Sequence, residues 1–268
     1  MTALPPDLEA TLEARLRYYR DLGVYGLYRR SDPDPSLEIN AVTDAIIESE
    51  PVIIARESAP DFLFVDPAPV AVPASDRAAA MEAIRADIGD CTRCPLAFQG
   101  RHKIVFADGD PNARLMFVGE GPGADEDAQG LPFVGRAGQL LNNMITAMGL
   151  QRSEVYIANV VKCRPPQNRT PEPSEANTCM QFLWRQIEVV SPQVIVALGS
   201  TAATYLLGAK SSLASLRGRI HQVHESQLIV TYHPAYLLRD PRQKAEAWKD
   251  LQIAMKELGL KAPKPAKS

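Results

Sequence analysis

Four cysteines, a glycine turn crowded with carboxylates, one asparagine and one histidine are the residues whose types and spacing could do chemistry here. Cys91 and Cys94 form C-T-R-C-P, and two thiols two residues apart can grip one metal ion or cluster. Cys163 and Cys179 lie fifteen residues apart further along. Four thiolates around one centre fit Zn²⁺ or an iron–sulfur cluster. A C-x-x-C redox pair would leave the other two cysteines idle, and four separately buried thiols are the plain alternative. The wide gap between Cys94 and Cys163 departs from a compact ferredoxin or zinc-finger module. It suggests a structural staple.

The second constellation is Gly119–Leu141, GEGPGADEDAQGLPFVGRAGQLL. It follows the apolar run Arg114–Val118 and ends in a segment of helical spacing. Its glycines let the backbone approach a ligand closely. The spacing is not G-x-G-x-x-G, and Pro122 removes an N–H that a phosphate cradle would use. Phe133, between Pro132 and Val134-Gly135, reads as an exposed ring that can stack on a planar ligand. A hydrophobic plug anchoring the loop is the other reading. Val161–Pro173 adds Lys162, Arg164 and Arg169 on a proline-stiffened loop, which suits phosphate contacts or plain solvation. Leu216–His221 (LRGRIH) carries the same two readings. His233 precedes Pro234, which biases it toward a strand exit. His102, His221 and His224 have no such placement.

Elements must bring these residues together. Strands are expected at Leu115–Val118, Val155–Val161, Val194–Leu198 and Leu228–Tyr232. Helices are expected at Asp76–Ile88, Arg136–Met148, Glu175–Val190, Ser200–Leu207 and Pro241–Leu258. Ser174 and Ser200 are placed as N-caps, Asp240-Pro241 as a cap with proline at N1, and Gly149 and Gly259 as helix ends. The alternation predicts βαβ units and a mostly parallel sheet with helices on both faces. Ligands then bind at the carboxyl ends of the strands, which carry Gly119-Glu120, Asn159, Gly199-Ser200 and His233.

The rest of the chain is less specific. The 268 residues are 46% hydrophobic and 23% charged, as in an ordinary globular protein, and no run of eighteen apolar residues could span a membrane. The N-terminus lacks the apolar core of a secretory signal, so a cytoplasmic location is the default expectation. Residues 1–85 hold 15 acids against 8 arginines and no lysine; the remainder holds 21 bases against 17 acids. The second part is therefore mildly basic and could dock a polyanion on a local patch. Residues 1–30 read as a helix and 31–76 as a proline-rich acidic linker or docked extended segment. A folded domain follows over 77–262, with a tail at 263–268.

Together, GEGPGADEDAQGLPFVGRAGQLL, the N-V-V-K-C-R-P-P run from Asn159, HPAYLLR from His233 and the four cysteines resemble the family 4 uracil-DNA glycosylases, the iron–sulfur branch of that superfamily. The likeness covers roughly residues 85–258. It implies a three-layer α/β/α domain with a central, mostly parallel sheet, here carrying an N-terminal helical or extended appendage. The implied activity flips uracil out of DNA and hydrolyses its N-glycosidic bond, leaving an abasic site. Carried over by motif, Gly119, Glu120 and Gly121 line the base pocket and Phe133 stacks on the base. Asn159 reads the uracil edge, and His233 joins Glu120 and Asn159 as catalytic groups. Glu126, Lys162 and Asn168 match a supporting network. Arg164, Arg169, Arg217 and Arg239 are DNA-contact candidates. Cys91, Cys94, Cys163 and Cys179 match the ligands of a [4Fe–4S] cluster, with zinc as the alternative. The implied partner is uracil-containing DNA, single- or double-stranded, bound by a monomer; the N-terminal region could serve a protein partner. Two other readings stay open. One is a covalent uracil-binding relative, since Arg219-Ile220-His221 is faintly like its basic loop. The other is a non-catalytic iron–sulfur module that binds nucleic acid.

Overall fold

The computed structural model describes residues 72–261. The expected N-terminal helix, all but the end of the proline-rich segment and the tail lie outside the described residues. Strand β1 is Asp108–Gly109, β2 Leu115–Gly119, β3 Tyr156–Asn159, β4 Val194–Leu198, β5 Ile220–Val223 and β6 Ser226–Thr231. They form one sheet in the order β1-β3-β2-β4-β6-β5. The four inner strands are parallel, and both edge strands pair antiparallel. The α-helices are α1 (Arg77–Ile88), α2 (Ala124–Gln129), α3 (Arg136–Ala147), α4 (Pro173–Val190), α5 (Ser200–Leu207), α6 (Leu213–Leu216), α7 (Pro234–Arg239) and α8 (Lys244–Glu257), with 3₁₀ turns at Pro95–Phe98, Arg152–Glu154, Pro166–Asn168 and Pro241–Gln243.

The inner strands read as unbroken apolar runs because both faces are covered. Met116 and Val118 face one core with Ala158, Ile195, Met180 of α4 and Ala202 of α5. Leu115 and Phe117 face the other with Ile157, Val196, Ile145 of α3 and Leu251 of α8. Side chains alternate across the pleat, so one strand feeds two cores and the domain is a three-layer α/β/α sandwich. Each fully buried Leu or Phe there contributes about 2 kcal/mol or more by removing apolar surface from water.

Register sets the functional level. Gly119 pairs with Asn159 at the ends of β2 and β3. Leu198 pairs with Thr231 at the ends of β4 and β6, two residues before His233. The β2–β3 bonding continues past the strand ends, from Val160 N–H to the Gly119 carbonyl and from Val161 N–H to the Glu120 carbonyl. This is the part of the expected longer strand that the sheet retains.

Three local expectations are corrected. Helix α4 begins earlier than Ser174: Glu172 is its N-cap, Pro173 occupies the first turn, and Glu175 returns a carboxylate to the Glu172 N–H at 2.8 Å. Gly199, at φ 93°, caps α5 in place of Ser200. Asp240-Pro241 opens a 3₁₀ turn that leads into α8, so the expected single helix has two parts.

Arg217 is likewise committed inside the fold. Its Nε donates to Asp250 Oδ2 at 2.7 Å, and its guanidinium lies 4.0 Å from the Tyr232 ring centroid. Asp250 is buried and also accepts from Thr231 Oγ1 at 2.8 Å. This arginine ties the α6–β5 turn to β6 and α8 and lines no part of the cavity described below. Removing it strands a buried carboxylate. Arg217→Ala is therefore expected to cost about 3 kcal/mol in a urea melt, with the salt dependence of DNA binding unchanged. An unchanged urea midpoint would refute this assignment.

Candidate active site

The carboxyl ends of the inner strands open into a cavity of about 470 Å³. Glu120, Gly121, Phe133, Asn159, His233 and Arg239 line it, with Glu126, Asn168 and Arg169. Asn159 is buried, and its Oδ1 is one of two buried side-chain polar atoms without a hydrogen-bond partner among the described residues. Leaving a buried acceptor unsatisfied costs about 1–3 kcal/mol, so a ligand donor has a place prepared for it. Lys162 secures the Asn159 backbone. Its Nζ donates to the Asn159 carbonyl at 2.8 Å and to Gln186 Oε1 at 2.6 Å. Lys162 is fully buried, and burial lowers its pKa to about 8, against a pull upward from Cys179.

Phe133 is not exposed; it retains 5% of its accessible surface. Its ring lies under Gly119, where an added Cβ would come within 2.5 Å of Phe133 Cζ and 2.4 Å of Asn159 Oδ1. Its backbone sits at φ 52°, a left-handed conformation unusual for an aromatic. Two side chains hold that conformation. Glu126 Oε1 accepts from the N–H groups of Val134 at 3.0 Å and Gly135 at 3.1 Å, while Oε2 accepts from Gly123 at 3.0 Å. Arg152 donates to the Pro132 carbonyl at 2.6 Å and the Phe133 carbonyl at 3.1 Å, and its Nε to Asp108 Oδ2 at 2.7 Å. Sequence reasoning missed Arg152, because its partners, two backbone carbonyls and the side chains of Asp108 and Asn142, are scattered along the chain and leave no pattern.

His233 caps α7 and is half-buried. Its Nδ1 accepts from the Ala235 N–H at 3.2 Å, so in the neutral ring the proton sits on Nε2. Burial, helped by nearby Arg239, lowers its pKa to about 4. The ring centroid is 5.7 Å from that of Phe133. Glu120 is half-buried and accepts a short hydrogen bond from Thr201 Oγ1, a second partner that the sequence did not suggest.

The remaining expected residues divide. Glu126, Lys162 and Asn168 form no single network: Glu126 ties loops, Lys162 holds Asn159, and Asn168 accepts from Arg164 Nε at 2.7 Å. Gln167 and Asn168 both adopt positive φ, 54° and 56°, on the cavity rim. Arg169 lines the cavity but is paired with buried Glu175 at 2.7 Å. Arg239 is exposed at the cavity edge. His221 lies outside the cavity lining, its Nε2 at 2.8 Å from the Leu216 carbonyl.

The four cysteines share one apolar cluster with α1 and α4. They are close enough to perturb one another. Burial first, then neighbours including Cys163 and Cys94, push the Cys179 thiol up to about 12, with Lys162 pulling it down. Burial also raises Cys163, opposed by Arg101. Arg101 Nη1 lies 3.4 Å from Cys163 Sγ and 2.7 Å from the Cys91 carbonyl, and the Lys162 backbone N–H lies 3.3 Å from Cys179 Sγ. An all-sulfur donor set receiving N–H contacts from an arginine and the backbone fits a thiolate-ligated group. Among the described residues, no three His, Cys, Asp or Glu side chains are grouped to hold a single metal ion.

Residues 106–252 match the sequence profile of the uracil DNA glycosylase superfamily. The type-4 uracil-DNA glycosylase of Thermotoga maritima is 48% identical over 162 residues, 60% of this chain and 84% of that protein. Those of Sulfurisphaera tokodaii and Pyrobaculum aerophilum are 44% and 42% identical, over 60% and 62% of this chain and 77% and 88% of theirs. The chain belongs to the uracil-DNA glycosylase superfamily, in its type-4 branch.

The grip on Phe133 makes a sharp demand on α3. A Cβ at Gly138 would meet the Phe133 carbonyl oxygen at 1.9 Å, a backbone atom that cannot swing aside. Gly138→Ala must therefore push α3 away from the loop. It is expected to lose about 2 kcal/mol of stability, a fall in Tm of about 4–8 °C by calorimetry. A variant as stable as the parent would show that the loop yields.

Proposed function

We propose that the protein is a monofunctional uracil-DNA glycosylase. It takes an extruded uracil into the cavity, hydrolyses the N-glycosidic bond and leaves an abasic site. The unpartnered, buried Oδ1 of Asn159 carries this reading. It suits the N3–H of uracil, while the amide N–H₂ suits O4; cytosine reverses both. The ring of Phe133 supports stacking on the base; Gly119 is absent from the cavity lining and supports the site by leaving room for Phe133 and Asn159 Oδ1 to close against it.

The bond from the sugar C1′ to uracil N1 breaks, and its electron pair leaves with the base as an anion spread over N1 and the flanking oxygens. His233, neutral and with its proton on Nε2, donates to that developing charge without giving up the proton. A water oxygen adds to C1′ and releases a proton. Glu120, steadied by Thr201, is the carboxylate on the wall suited to stabilise the cationic sugar or to orient that water. Arg239 at the rim, and Arg164 bonded to rim residue Asn168, suit phosphate contacts.

The four cysteines suit a [4Fe–4S] cluster, a group that staples the chain and contributes no step to the hydrolysis. Four thiols in one apolar cluster, contacted by Arg101 and the Lys162 N–H, support a shared thiolate-ligated group, with zinc as the alternative. The readings of a soluble cytoplasmic monomer and of residues 1–76 as an appendage, with 77–262 as the catalytic domain, complete the proposal. The covalent-trap alternative is not favoured, because His221 is turned to the Leu216 carbonyl outside the cavity.

Incubation with a uracil-containing oligonucleotide, followed by alkali and a denaturing gel, should give strand breaks at uracil. An SDS-stable shifted band would favour the covalent trap, and neither product would favour simple binding. His233→Ala is expected to lower the single-turnover rate by about 10²- to 10³-fold. Because the folded pKa of His233 is depressed to about 4, the ring stays neutral down through pH 5. The acid limb of the single-turnover rate assigned to this group should therefore inflect near pH 4. A limb near pH 6.5 that vanishes in His233→Ala would contradict the assignment. The purified protein should absorb broadly in the visible and contain iron and sulfide; a colourless protein containing zinc would overturn the cluster.

A further inference from the structure

Phe98 is the most exposed large apolar side chain among the described residues, at 75% of its full surface. It is not there for want of a core, since Leu96, two residues earlier in the same 3₁₀ turn, is fully buried. Phe98 opens a short irregular segment, Phe98–Lys103, with a reversal at Gly100, φ 91°. That segment is tied to the cavity wall at both ends. Gln99 Oε1 accepts from Nη2 of cavity-lining Arg169 at 3.3 Å. At the other end, the His102 N–H and ring Nδ1 bond Asp127, at 2.9 and 2.6 Å. Asp127 is a buried residue of α2 and follows Glu126, which lines the cavity. Arg101 is spent on Asp90, the Cys91 carbonyl and Cys163 Sγ. The anchors thus account for Gln99, Arg101 and His102. Two side chains are left over: the exposed ring of Phe98, and exposed Lys103, which enters none of the ion pairs among the described residues.

We propose that Phe98–Lys103 is a strand-binding rim for DNA. Phe98 stacks on an unpaired base neighbouring the nucleotide in the cavity, and Lys103 takes an adjacent phosphate. An aromatic face beside a cation is the chemistry that holds a single strand without reading its sequence. Anchoring of Gln99, Arg101 and His102 between these two groups removes the entropy that a free loop would lose on binding. The rim rests on the reading that the cavity takes a nucleotide from DNA.

The test uses the full-length protein and a labelled single-stranded oligonucleotide with one non-hydrolysable 2′-fluoro deoxyuridine. The nucleotides on either side carry bases in one version and are abasic in the other. Phe98→Ala is expected to weaken binding about ten- to a hundredfold when flanking bases are present, and to leave binding of the abasic-flanked strand unchanged. Phe98→Trp should restore affinity and Phe98→Leu should not. Lys103→Gln should reduce the slope of log affinity against log salt by about 0.7. Phe98→Ala should melt with the parent, since the ring is exposed. Equal binding of both strands by Phe98→Ala and the parent, or equal weakening on both strands, would overturn the rim. Failure of the unmodified protein to break a uracil-containing strand after alkali would instead overturn the reading of the cavity.

Discussion

Everything in the cavity depends on one buried amide with an unused acceptor. Asn159 stands at the end of a strand packed on both faces, where an unsatisfied oxygen cannot be hidden cheaply. The fold accepts that cost by making the surroundings unable to relax. A partner strand in register brings Gly119 alongside, and the missing Cβ leaves room for Oδ1. The Lys162 ammonium sits on the Asn159 carbonyl with Gln186 as its second acceptor, so the turn after β3 cannot rotate to satisfy the side chain internally. Burying that ammonium is itself unfavourable, as its lowered pKa shows. Two uncomfortable groups, one holding the other, are a sign of geometry selected for a ligand over stability.

Phe133 follows the same logic. A left-handed aromatic persists only where its neighbours over-determine it. Glu126 takes the N–H groups on the C-terminal side of Phe133, and Arg152 takes the carbonyls of Pro132 and of Phe133 itself. Gly138 lets α3 approach that carbonyl to a distance no other residue would allow. The ring is thus presented from a rigid frame, and the carboxylates of the glycine turn are structural braces. In isolation those same carboxylates suggest a metal site.

This explains what was legible in the sequence. Inner strands are readable because double burial leaves unbroken apolar runs, as in Val194–Leu198. The edge strands were not: Asp108-Gly109 is two residues long, and Ile220–Val223 alternates with polar side chains on an exposed edge. Asn159 and His233 were legible through their position at strand ends. For Arg217, a DNA-contact candidate by sequence, the pairing with Asp250 was not legible because that partner lies 33 residues away. Ser174 was misread because an S-E pair resembles a cap, whereas proline at N1 and a returning Glu175 place the helix start two residues earlier. Arg152 left no trace at all, since its partners are two main-chain carbonyls and two side chains scattered along the chain. What sequence hides is side chains whose partners are distant or belong to the backbone.

The placement of the cysteines is then a matter of what else could hold their segment. Between α1 and β1 the chain runs nearly twenty residues with one four-residue 3₁₀ turn and no sheet pairing. It buries Leu96 and then, from Val105, joins the core. Such a stretch forms too few internal hydrogen bonds to offset the entropy of ordering it. Beside the contacts of Gln99 and His102 with the cavity wall, one set of attachments leads to sulfur: the stretch carries Cys91 and Cys94 at its start, and Arg101 reaches the Cys91 carbonyl and Cys163 Sγ. Cys163 and Cys179 sit on the turn and helix that also position Asn159 through Lys162. A group bound by all four thiolates would fix the irregular stretch to the turn that follows β3 in one step. That role would be mechanical, and it would account for the wide spacing of the cysteines in sequence, since the two parts they would join are far apart.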